Sequence, residues 1–408
     1  MAHPITRFAS LVSRTTALAS VLFLQGCGGT QDDTDVVQQA VDQGGVVTFE
    51  ARTYYLSRTI VVRHSNTVIQ GVGPNTIFQF KANTRRVHCV NDRVFTTPCD
   101  RIDQAPRRIT SSIAVGDRSF STSADLSDLH PGDWLLLTEL DAVIGGQAAV
   151  DWMQVDSISE QVVTVRTPFR TAFVNKREWD TGRRGLGFWR IDAPVENTVF
   201  RNFNITVPDA GLPEASAAGI SVFAALHTTI DRVQVDDWNA QPLYSYLSKD
   251  LTITNSAGRG QEILNEFAAT VDLTLRGNSF GVAREASLGL NVGTAFFDVS
   301  GNTILVSCNI GAYMLPGVHD GIFSNNQIAF VGSTSDNINA MGLLAWGTQN
   351  VEISTNYLEG GEGPQSTGIS VRGIMGEIPM PSVNVRLRGN MFGGGWVLNY
   401  EAGTVPEP

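Results

Sequence analysis

The sequence is poor in charge and in cysteine. Only 17% of the 408 residues are charged, and so low a fraction argues against a disordered chain. The formal net charge is −11, which makes a broad nucleic-acid-binding face improbable. The four cysteines form no CxxC pair, and no His/Cys cluster indicates a zinc site. We therefore expect a folded protein that has no nucleic-acid partner.

Motifs that would identify several common enzyme chemistries are also missing. The chain contains no GxSxG elbow, no P-loop and no HExxH motif. The segment GVGPNT begins like a dinucleotide-binding fingerprint, but it lacks the final glycine and the helix that should follow. We interpret it as a turn.

A regularly spaced asparagine is the main positive feature of the sequence. Asn278, Asn302 and Asn326 are 24 residues apart, and each follows a short alternating apolar run. The same pattern continues in both directions, at Asn202, Asn255, Asn356 and Asn390. A period in the low twenties, with one strand and one turn asparagine per unit, is typical of a coiled β-solenoid. Asparagine suits such a turn because it tolerates left-handed backbone angles and can bond its stacked neighbour. The repeat predicts an all-β parallel β-helix.

The N-terminal segment predicts export. Arg7 and Arg14 precede the apolar stretch 17–24, which is too short to span a bilayer and is typical of a signal peptide. The stretch ends in Leu24-Gln25-Gly26-Cys27, which resembles a bacterial lipobox and implies that Cys27 is the lipid-modified first residue of the mature protein. The alternative is a cleaved signal peptide followed by an incidental cysteine.

The expected location is therefore the bacterial cell envelope, as a lipoprotein of the outer membrane or cell surface. Secretion and a periplasmic location are the alternatives, and the only membrane attachment expected is the lipid anchor at Cys27. Export permits disulfides, so Cys89 and Cys99 could close a small loop. Cys308 lies in a strand repeat, and we expect it to be a buried free thiol.

Composition and periodicity divide the chain into six parts. TDVVQQAVDQ has its valines on one helical face, whereas DLHPGDWLLLTE and MQVDSISEQVVTVRTPF are typical of β-hairpins. The predicted parts are a signal peptide (1–26), a tether (27–33), an N-terminal cap with the first coils (34–106), a small β-rich insertion (107–176), the main coils (177–400) and a disordered tail (401–408).

The segment from Thr34 to Phe80 resembles the N-terminal cap and first coils of the pectate-lyase-like superfamily of right-handed parallel β-helices, also called the pectin lyase fold. In that superfamily a short helix closes the end of the solenoid, and a pattern like GGVVxFPxGxYxLSxTIxLxSNtxIxGxG follows. The matching residues are Gly44 to Val47, Phe49, Tyr54, Leu56-Ser57, Thr59-Ile60, Ser65-Asn66 and Gly71 to Gly73. Glu50 to Arg52 replace the usual Pro-Ala-Gly turn, a departure that affects the turn and not the fold.

Stacked coils place residues at matching offsets in columns roughly 4.8 Å apart. Glu262 and Glu285 both lie seven residues beyond an asparagine of the series. Two carboxylates that close would need a cation, a shared proton or an arginine between them, and Ca²⁺ is the one cofactor that we would expect. Arg259 and Arg284 lie nearby on the same two coils. The alternative is that these four residues form only surface ion pairs.

Aromatic and charged residues surround these carboxylates in the sequence. The preceding coil contains Asp236, Asp237, Trp238, Tyr244 and Tyr246. Lys249 opens the next coil. His319 follows in GVHDG, where the pattern favours a turn residue over a base. Arg183 and Arg184 belong to an arginine-rich loop that could hold the carboxylates of a polymer, or could only pack the insertion onto the solenoid. Because aromatic rings can stack on sugar rings, we expect a cleft that binds an acidic polysaccharide.

The superfamily resemblance implies a carbohydrate polymer as the usual substrate class. The leading hypothesis is a polysaccharide lyase that cleaves a uronic-acid polymer by β-elimination. Glu262 and Glu285, acting through a cation, or an arginine would neutralise the substrate carboxylate. The resemblance implies Lys249, Arg259 or Arg284 as the base.

Two alternatives to the lyase are open. A glycoside hydrolase would use paired carboxylates, and a non-catalytic solenoid would only bind glycans or serve in adhesion. The Asp-Pro-His-Asp motif of uronan epimerases is absent, which disfavours that activity. The sequence does not determine the oligomeric state.

Overall fold

The computed structural model describes residues 32–80, 93–98, 106–141, 146–173, 185–206, 218–238, 241–260, 265–283, 286–306, 310–330, 340–360, 367–373, 381–394, 397–400 and 405–407. The predicted signal peptide, the lipid site at Cys27, the disulfide between Cys89 and Cys99, and Cys308 lie outside these ranges. Within them, no helix combines the length and the apolar character needed to cross a membrane.

A short helix, Thr34–Asp42, packs against the first coils as the sequence predicts. Val37 and Val41 are buried in the same core as the first strands, because the apolar positions fall on one face of the helix. Asp33 makes no side-chain cap, and its carboxylate instead lies 2.9 Å from the Arg52 guanidinium. Gln38 exchanges two hydrogen bonds with the backbone of Val61, at 2.8 and 2.9 Å. The helix therefore satisfies backbone groups at the edge of the solenoid as well as covering its core.

Parallel strands form the three faces of the solenoid. Face 1 is a ten-stranded sheet of Ile60–Val61, Arg93–Thr96, Ala218–Phe223, Leu243–Tyr246, Asn265–Ala268, Ala286–Asn291, Ile310–Met314, Met341–Trp346, Thr367–Arg372 and Val397–Tyr400. Face 2 contains Val46–Phe49, Val68–Gly71, Lys249–Thr254, Val271–Arg276, Ala295–Ser300, His319–Ser324, Gln349–Ser354, Arg386–Arg388 and Val405–Glu407. Face 3 contains Thr53–Leu56, Ile77–Phe80, Ala257–Gly260, Ser279–Ala283, Thr303–Val306, Gln327–Phe330, Tyr357–Glu359 and Met391–Gly393. The longer strands Val199–Thr206 and Leu226–Trp238 run through faces 2 and 3 in turn.

The alternating apolar pattern explains the solenoid core. In Val271–Arg276 every second residue is buried, and the parallel register places Leu273 beside Leu251 and Leu275 beside Ile253. Like residues thus stack on like residues from coil to coil, and the inward side chains form one continuous core. The predicted right-handed parallel β-helix is confirmed.

The asparagines form a buried ladder at the turn between faces 2 and 3. The Nδ2 atom of Asn278 donates to Oδ1 of Asn302 at 3.0 Å, and Asn302, Asn326 and Asn356 each repeat this bond to the next asparagine. The ladder stays unbroken although its members are 24, 24, 30 and 34 residues apart. Extra residues in the longer coils therefore do not disturb the stacking.

The left-handed residue of each turn precedes the ladder position, which corrects our expectation for the asparagine itself. Gly277 has φ 65°, and Asn255 occupies the equivalent place with φ 51°. In that coil Ser256 takes the ladder position, because its backbone N–H donates to Oδ1 of Asn278 at 2.9 Å. Asn255 and Asn278 are therefore not equivalent positions, and the repeat count that equates them is one residue out of register.

A six-stranded antiparallel sheet interrupts one coil between face 1 and face 2. Its strands are Arg107–Arg108, Ser119–Ser121, Trp134–Asp141, Gly146–Ser159, Val162–Val165 and Gly185–Ile191. Its last strand, Gly185–Ile191, lies wholly beyond residue 176, where we expected the insertion to end. The sheet has its own apolar core, and a further buried cluster contains Trp152 of the insertion together with Leu226, Leu247 and Val271 of the solenoid. The C-terminal stretch from 401, expected to be disordered, contains the strand Val405–Glu407, which pairs with Arg386–Arg388.

Candidate functional site

The outward surface of face 1 carries a column of aromatic and polar side chains. Leu243 points into the core, so its strand neighbour Tyr244 points outward, as the alternating burial shows. The parallel register places Tyr244 beside Glu266, Glu266 beside Gly289 and Gly289 beside Tyr313. Tyr244 and Tyr313 are three strands apart, which corresponds to about 14 Å. The surface therefore presents a carboxylate between two phenols, over a length that suits a short run of sugar units.

Two amides hold the Glu266 carboxylate in place. Nε2 of Gln241 donates to one carboxylate oxygen, and Nδ2 of Asn291 donates to the other. A carboxylate oxygen can accept more than one hydrogen bond. Among the described strands of face 1, Glu266 is the only acidic residue. Glu266 was not among the predicted site residues because offsets were counted from the asparagines, whereas Glu266 lies 22 residues after Tyr244, its register partner on the preceding strand.

Further aromatic rings adjoin this column. Phe223 contacts Tyr244 and Tyr246, with ring centroids 5.6 and 5.9 Å apart. Tyr246 packs against the same buried apolar cluster as Trp134 and Trp189 of the insertion. The structure thus brings the predicted residues Tyr244 and Tyr246 together on face 1, beside the aromatic side of the insertion.

Lys249, predicted as a base, lies at the interface between the insertion and face 2. Its Nζ donates to Oδ2 of Asp272 at 2.7 Å, and its side chain is 19% exposed. Arg170 of the insertion binds the same carboxylate through two bonds, at 2.7 and 2.8 Å, and lies over the ring of Phe296. Burial alone would raise the pKa of Asp272, but the bonds and charges of Arg170 and Lys249 outweigh it and lower that pKa. These three residues form a closed ion-pair network between the two units.

Asp151 lies beside this network and is 1% exposed. Burial raises the pKa of its carboxyl, against the opposing charges of Lys249 and Arg170. Oδ1 accepts the backbone N–H of Trp152 at 2.8 Å, whereas Oδ2 is buried and lacks a hydrogen-bond partner among the described residues.

His319, predicted to bind substrate, begins a strand of face 2 and is 7% exposed. Its Nδ1 lies 2.8 Å from Oδ2 of Asp320, and its ring meets Phe296 edge to face. Burial would raise the pKa of Asp320, but the hydrogen bond and charge of His319, with Asn350 and Arg170, lower it. The structure therefore groups His319 with the interface network and not with Tyr244.

Asp236 and Arg259 lie on face 3 and face each other across neighbouring coils. Nη1 of Arg259 is 4.0 Å from Oδ1 of Asp236, and the other carboxylate oxygen accepts a bond from Gln234. Asp237 and Trp238 end the same strand as Asp236, and their side chains are outside the described set. The predicted ion-pair role thus applies to Arg259, but with Asp236 as its partner.

The remaining predicted site residues lie outside the described ranges: Arg183, Arg184, Glu262, Arg284 and Glu285. The register pairs Ala257 with Ser279, 22 residues later, but it pairs Asn265 with Leu288, 23 residues later. The prediction counted equal offsets from Asn255 and Asn278. Glu262 and Glu285, 23 residues apart, were selected by that count. Among the described residues, no group of three or more His, Cys, Asp or Glu side chains could hold a metal ion, and a calcium site at Glu262 and Glu285 stays a prediction.

Solved structures with this architecture include two phage tailspikes. Tailspike gp49 of Pseudomonas phage LKA1 is 15% identical, with 92% of this chain and 72% of that chain covered at a TM-score of 0.54. Tailspike gp61 of Pseudomonas phage phi297 is 12% identical, with 86% and 67% covered at a TM-score of 0.51. At these identities the likeness shows the fold alone. No family model and no curated protein sequence matches the chain.

Proposed function

We propose that the protein is exported and acts on a polysaccharide that lies along face 1. The observation that carries this proposal is the column of Tyr244, Glu266 and Tyr313 on the outward surface of the sheet. Phenol rings offer apolar faces and hydroxyls to sugars, and the carboxylate accepts bonds from their hydroxyl groups. The resemblance of the N-terminal coils to the pectate-lyase-like superfamily supports a carbohydrate polymer as the substrate class. Export as a lipoprotein anchored at Cys27 is part of the same proposal.

The reaction that we propose is β-elimination at a uronic-acid unit. A paired-carboxylate hydrolase would need a second acid about 5–10 Å from the first, and the described strands of face 1 contain only Glu266. Tyrosine can transfer a proton as a general acid or base, so Tyr244, one strand from Glu266, is the proposed proton-transfer residue. Lys249 and Arg259 are less suited to that role, because both are in ion pairs with aspartates.

The groups proposed to neutralise the substrate carboxylate are those predicted from the sequence. Glu262 is four residues before Glu266, and Glu285 directly precedes the next strand of face 1. A Ca²⁺ ion bound by them, or Arg284, would supply the positive charge that the uronate needs.

The test is the ultraviolet absorbance of unsaturated products when the purified protein acts on a panel of uronic-acid polymers, with and without Ca²⁺. We expect product from at least one polymer, and a rate about 100-fold lower for Tyr244→Phe and for Glu266→Gln. Tyr400→Phe is the matched control, because Tyr400 is an exposed tyrosine on the last strand of the same sheet. Its rate should stay within about twofold of the unmodified protein.

The other outcomes separate the alternatives. New reducing ends without unsaturated products would replace the lyase by a hydrolase. Polymer binding without cleavage, weakened by Tyr244→Ala, would indicate a glycan-binding solenoid, which the ion pairing of Lys249 and Arg259 also favours. Cleavage that is unaffected by both site variants would move the site away from face 1.

A further inference from the structure

A recess of about 380 Å³ opens on another side of the solenoid, where face 2 turns into face 3. Half of its twelve lining residues have amide or hydroxyl side chains, among them Asn202, Asn204, Gln234, Asn255 and Ser279, and Arg232 adds a guanidinium. The volume lies within the range of about 300–1,000 Å³ that is usual for small-molecule sites. None of the predicted site residues belongs to this lining.

Small residues in one outward column create the recess. The register runs from Asn204 to Gln234, then to Ala257 and Ser279, so two long side chains are followed by two short ones. At the corner beside this column, Asn202, Arg232 and Asn255 are left-handed, with φ of 59°, 52° and 51°. The turn at Pro74 lies beside Asn204, at the first end of this column. Nδ2 of Asn204 donates to the Pro74 carbonyl at 3.0 Å.

The amides of the lining have hydrogen-bonding capacity left over. Within the described chain, the side chains of Asn202 and Ser279 have no hydrogen-bond partner. Gln234, Asn204 and Asn255 each donate through nitrogen to a protein oxygen, which leaves their amide oxygens as acceptors. Donors and acceptors of this kind, distributed around a concave surface, match a ligand rich in hydroxyl groups.

The charge of the recess is balanced. Nη2 of Arg232 lies 2.8 Å from Oδ2 of Asp231, and the other oxygen of Asp231 accepts bonds from Thr254 and Asn255. The guanidinium keeps further N–H donors, but its charge is already neutralised. A neutral ligand therefore fits better than an anionic one, because an anion would compete with Asp231 for the same cation.

We propose that this recess binds a neutral sugar unit, as a carbohydrate site separate from the one on face 1. The proposal does not depend on catalysis at face 1. A polymer or a glycosylated surface held here would lie on a different side of the solenoid from the Tyr244 column. The recess thus adds a second contact for a carbohydrate.

The test is isothermal titration or saturation-transfer NMR with the methyl glycosides of glucose, galactose, mannose and N-acetylglucosamine, with glucuronic acid as the charged comparison. We expect at least one neutral glycoside to bind, and Ser279→Leu, which fills the recess, to weaken that binding at least about tenfold. Thr303→Leu is the matched control, because Thr303 is the next residue of the same outward column and lies outside the recess. It should change the affinity by less than about twofold.

A second variant, Asn202→Gly, removes the free amide while keeping a residue that accepts the left-handed φ of 59°. It should weaken binding severalfold even if Ser279→Leu fails to fold. The proposal is overturned if none of the neutral glycosides binds, if both recess variants bind like the unmodified protein, or if glucuronic acid binds more tightly than the glucoside. Binding that is lost in Glu266→Gln but kept in Ser279→Leu would place the sugar on face 1 instead.

Discussion

Each ladder asparagine makes hydrogen bonds that no apolar residue could replace. Asn302 is buried, and its Oδ1 accepts both the backbone N–H and the side-chain Nδ2 of Asn278, at 2.9 and 3.0 Å. Its own Nδ2 donates to the Leu275 carbonyl and to Asn326, each at 2.9 Å. The amide thus satisfies groups on three consecutive coils in a place that water does not reach.

We expect Asn302→Ala to lower the free energy of unfolding by about 3 kcal/mol, because buried donors and acceptors lose their partner. Denaturant unfolding followed by circular dichroism measures the loss. Asn399→Ala is the control, since Asn399 is exposed on the last strand of face 1, and its cost should stay below about 0.5 kcal/mol. Equal losses for the two variants would contradict the role of the ladder.

The asparagine spacing predicted the ladder correctly from Asn278 to Asn390, but Asn202 and Asn255 of the same series are left-handed residues outside it. Asparagine serves two purposes in the turn, because Asn278 bonds its neighbours while Asn255 adopts the left-handed angle one position earlier. Asparagine therefore occupies two different structural positions in the turn. Only the hydrogen-bond partners distinguish the two positions.

The insertion docks on the solenoid through apolar packing beside a buried ion-pair network. Trp152 contributes to the packing, and Arg170 and Lys249 both bind Asp272. Asp151 lies beside these charges, but the attraction of Lys249 and Arg170 does not offset the cost of burying its carboxylate. Its pKa is therefore raised above the ordinary value of 3.8. Ion pairing has the opposite effect on Asp272, whose pKa is lowered.

The two shifts have opposite consequences for stability. Because the folded protein holds a proton on Asp151 more tightly than the unfolded chain does, the contribution of Asp151 is favourable at low pH and is lost as the pH rises through its raised pKa. The contribution of Asp272 is present above the unfolded value of 3.8 and is lost as the pH falls through its lowered pKa.

We expect Asp151→Asn to stabilise the protein at neutral pH by about 1 kcal/mol, or about 2 °C in Tm, because it removes a buried charge and keeps an acceptor for the Trp152 N–H. The gain should vanish at acidic pH, where Asp151 is already neutral. Thermal unfolding over a pH series measures this. Asp156→Asn, an exposed change on the same strand, should show no such pH-dependent gain. A constant gain for Asp151→Asn at every pH would refute the explanation.

The described residues form two separate apolar cores, one in the solenoid and one in the insertion, and a third cluster lies between them. Phe188 is fully buried in the insertion core, and Phe297 is buried in the solenoid core. Coils of a solenoid contact mainly their neighbours, so a defect should stay local to its own unit.

We expect Phe188→Ala to cost about 3–5 kcal/mol within the insertion. Hydrogen–deuterium exchange should then accelerate in Trp134–Asp141, which pairs with the strand of Phe188, and should be unchanged in Ala295–Ser300. Phe297→Ala is the reciprocal control and should reverse the pattern. Equal acceleration of both strands in either variant would mean that the chain unfolds as a single unit.

The sequence by itself determined the parallel β-helix, its closing helix and the presence of a β-rich insertion. Strand alternation, turn residues and coil period are local properties, so they can be recognised in the amino-acid sequence. Only the tertiary structure decided the site. Lys249 and Arg170 both bind Asp272, which is 102 residues from Arg170 in the sequence. Glu266 lies beside Tyr244 through a strand register that the asparagine spacing does not give. Contacts between units and between coils depend on docking and exact register, and neither is a property of one segment of sequence.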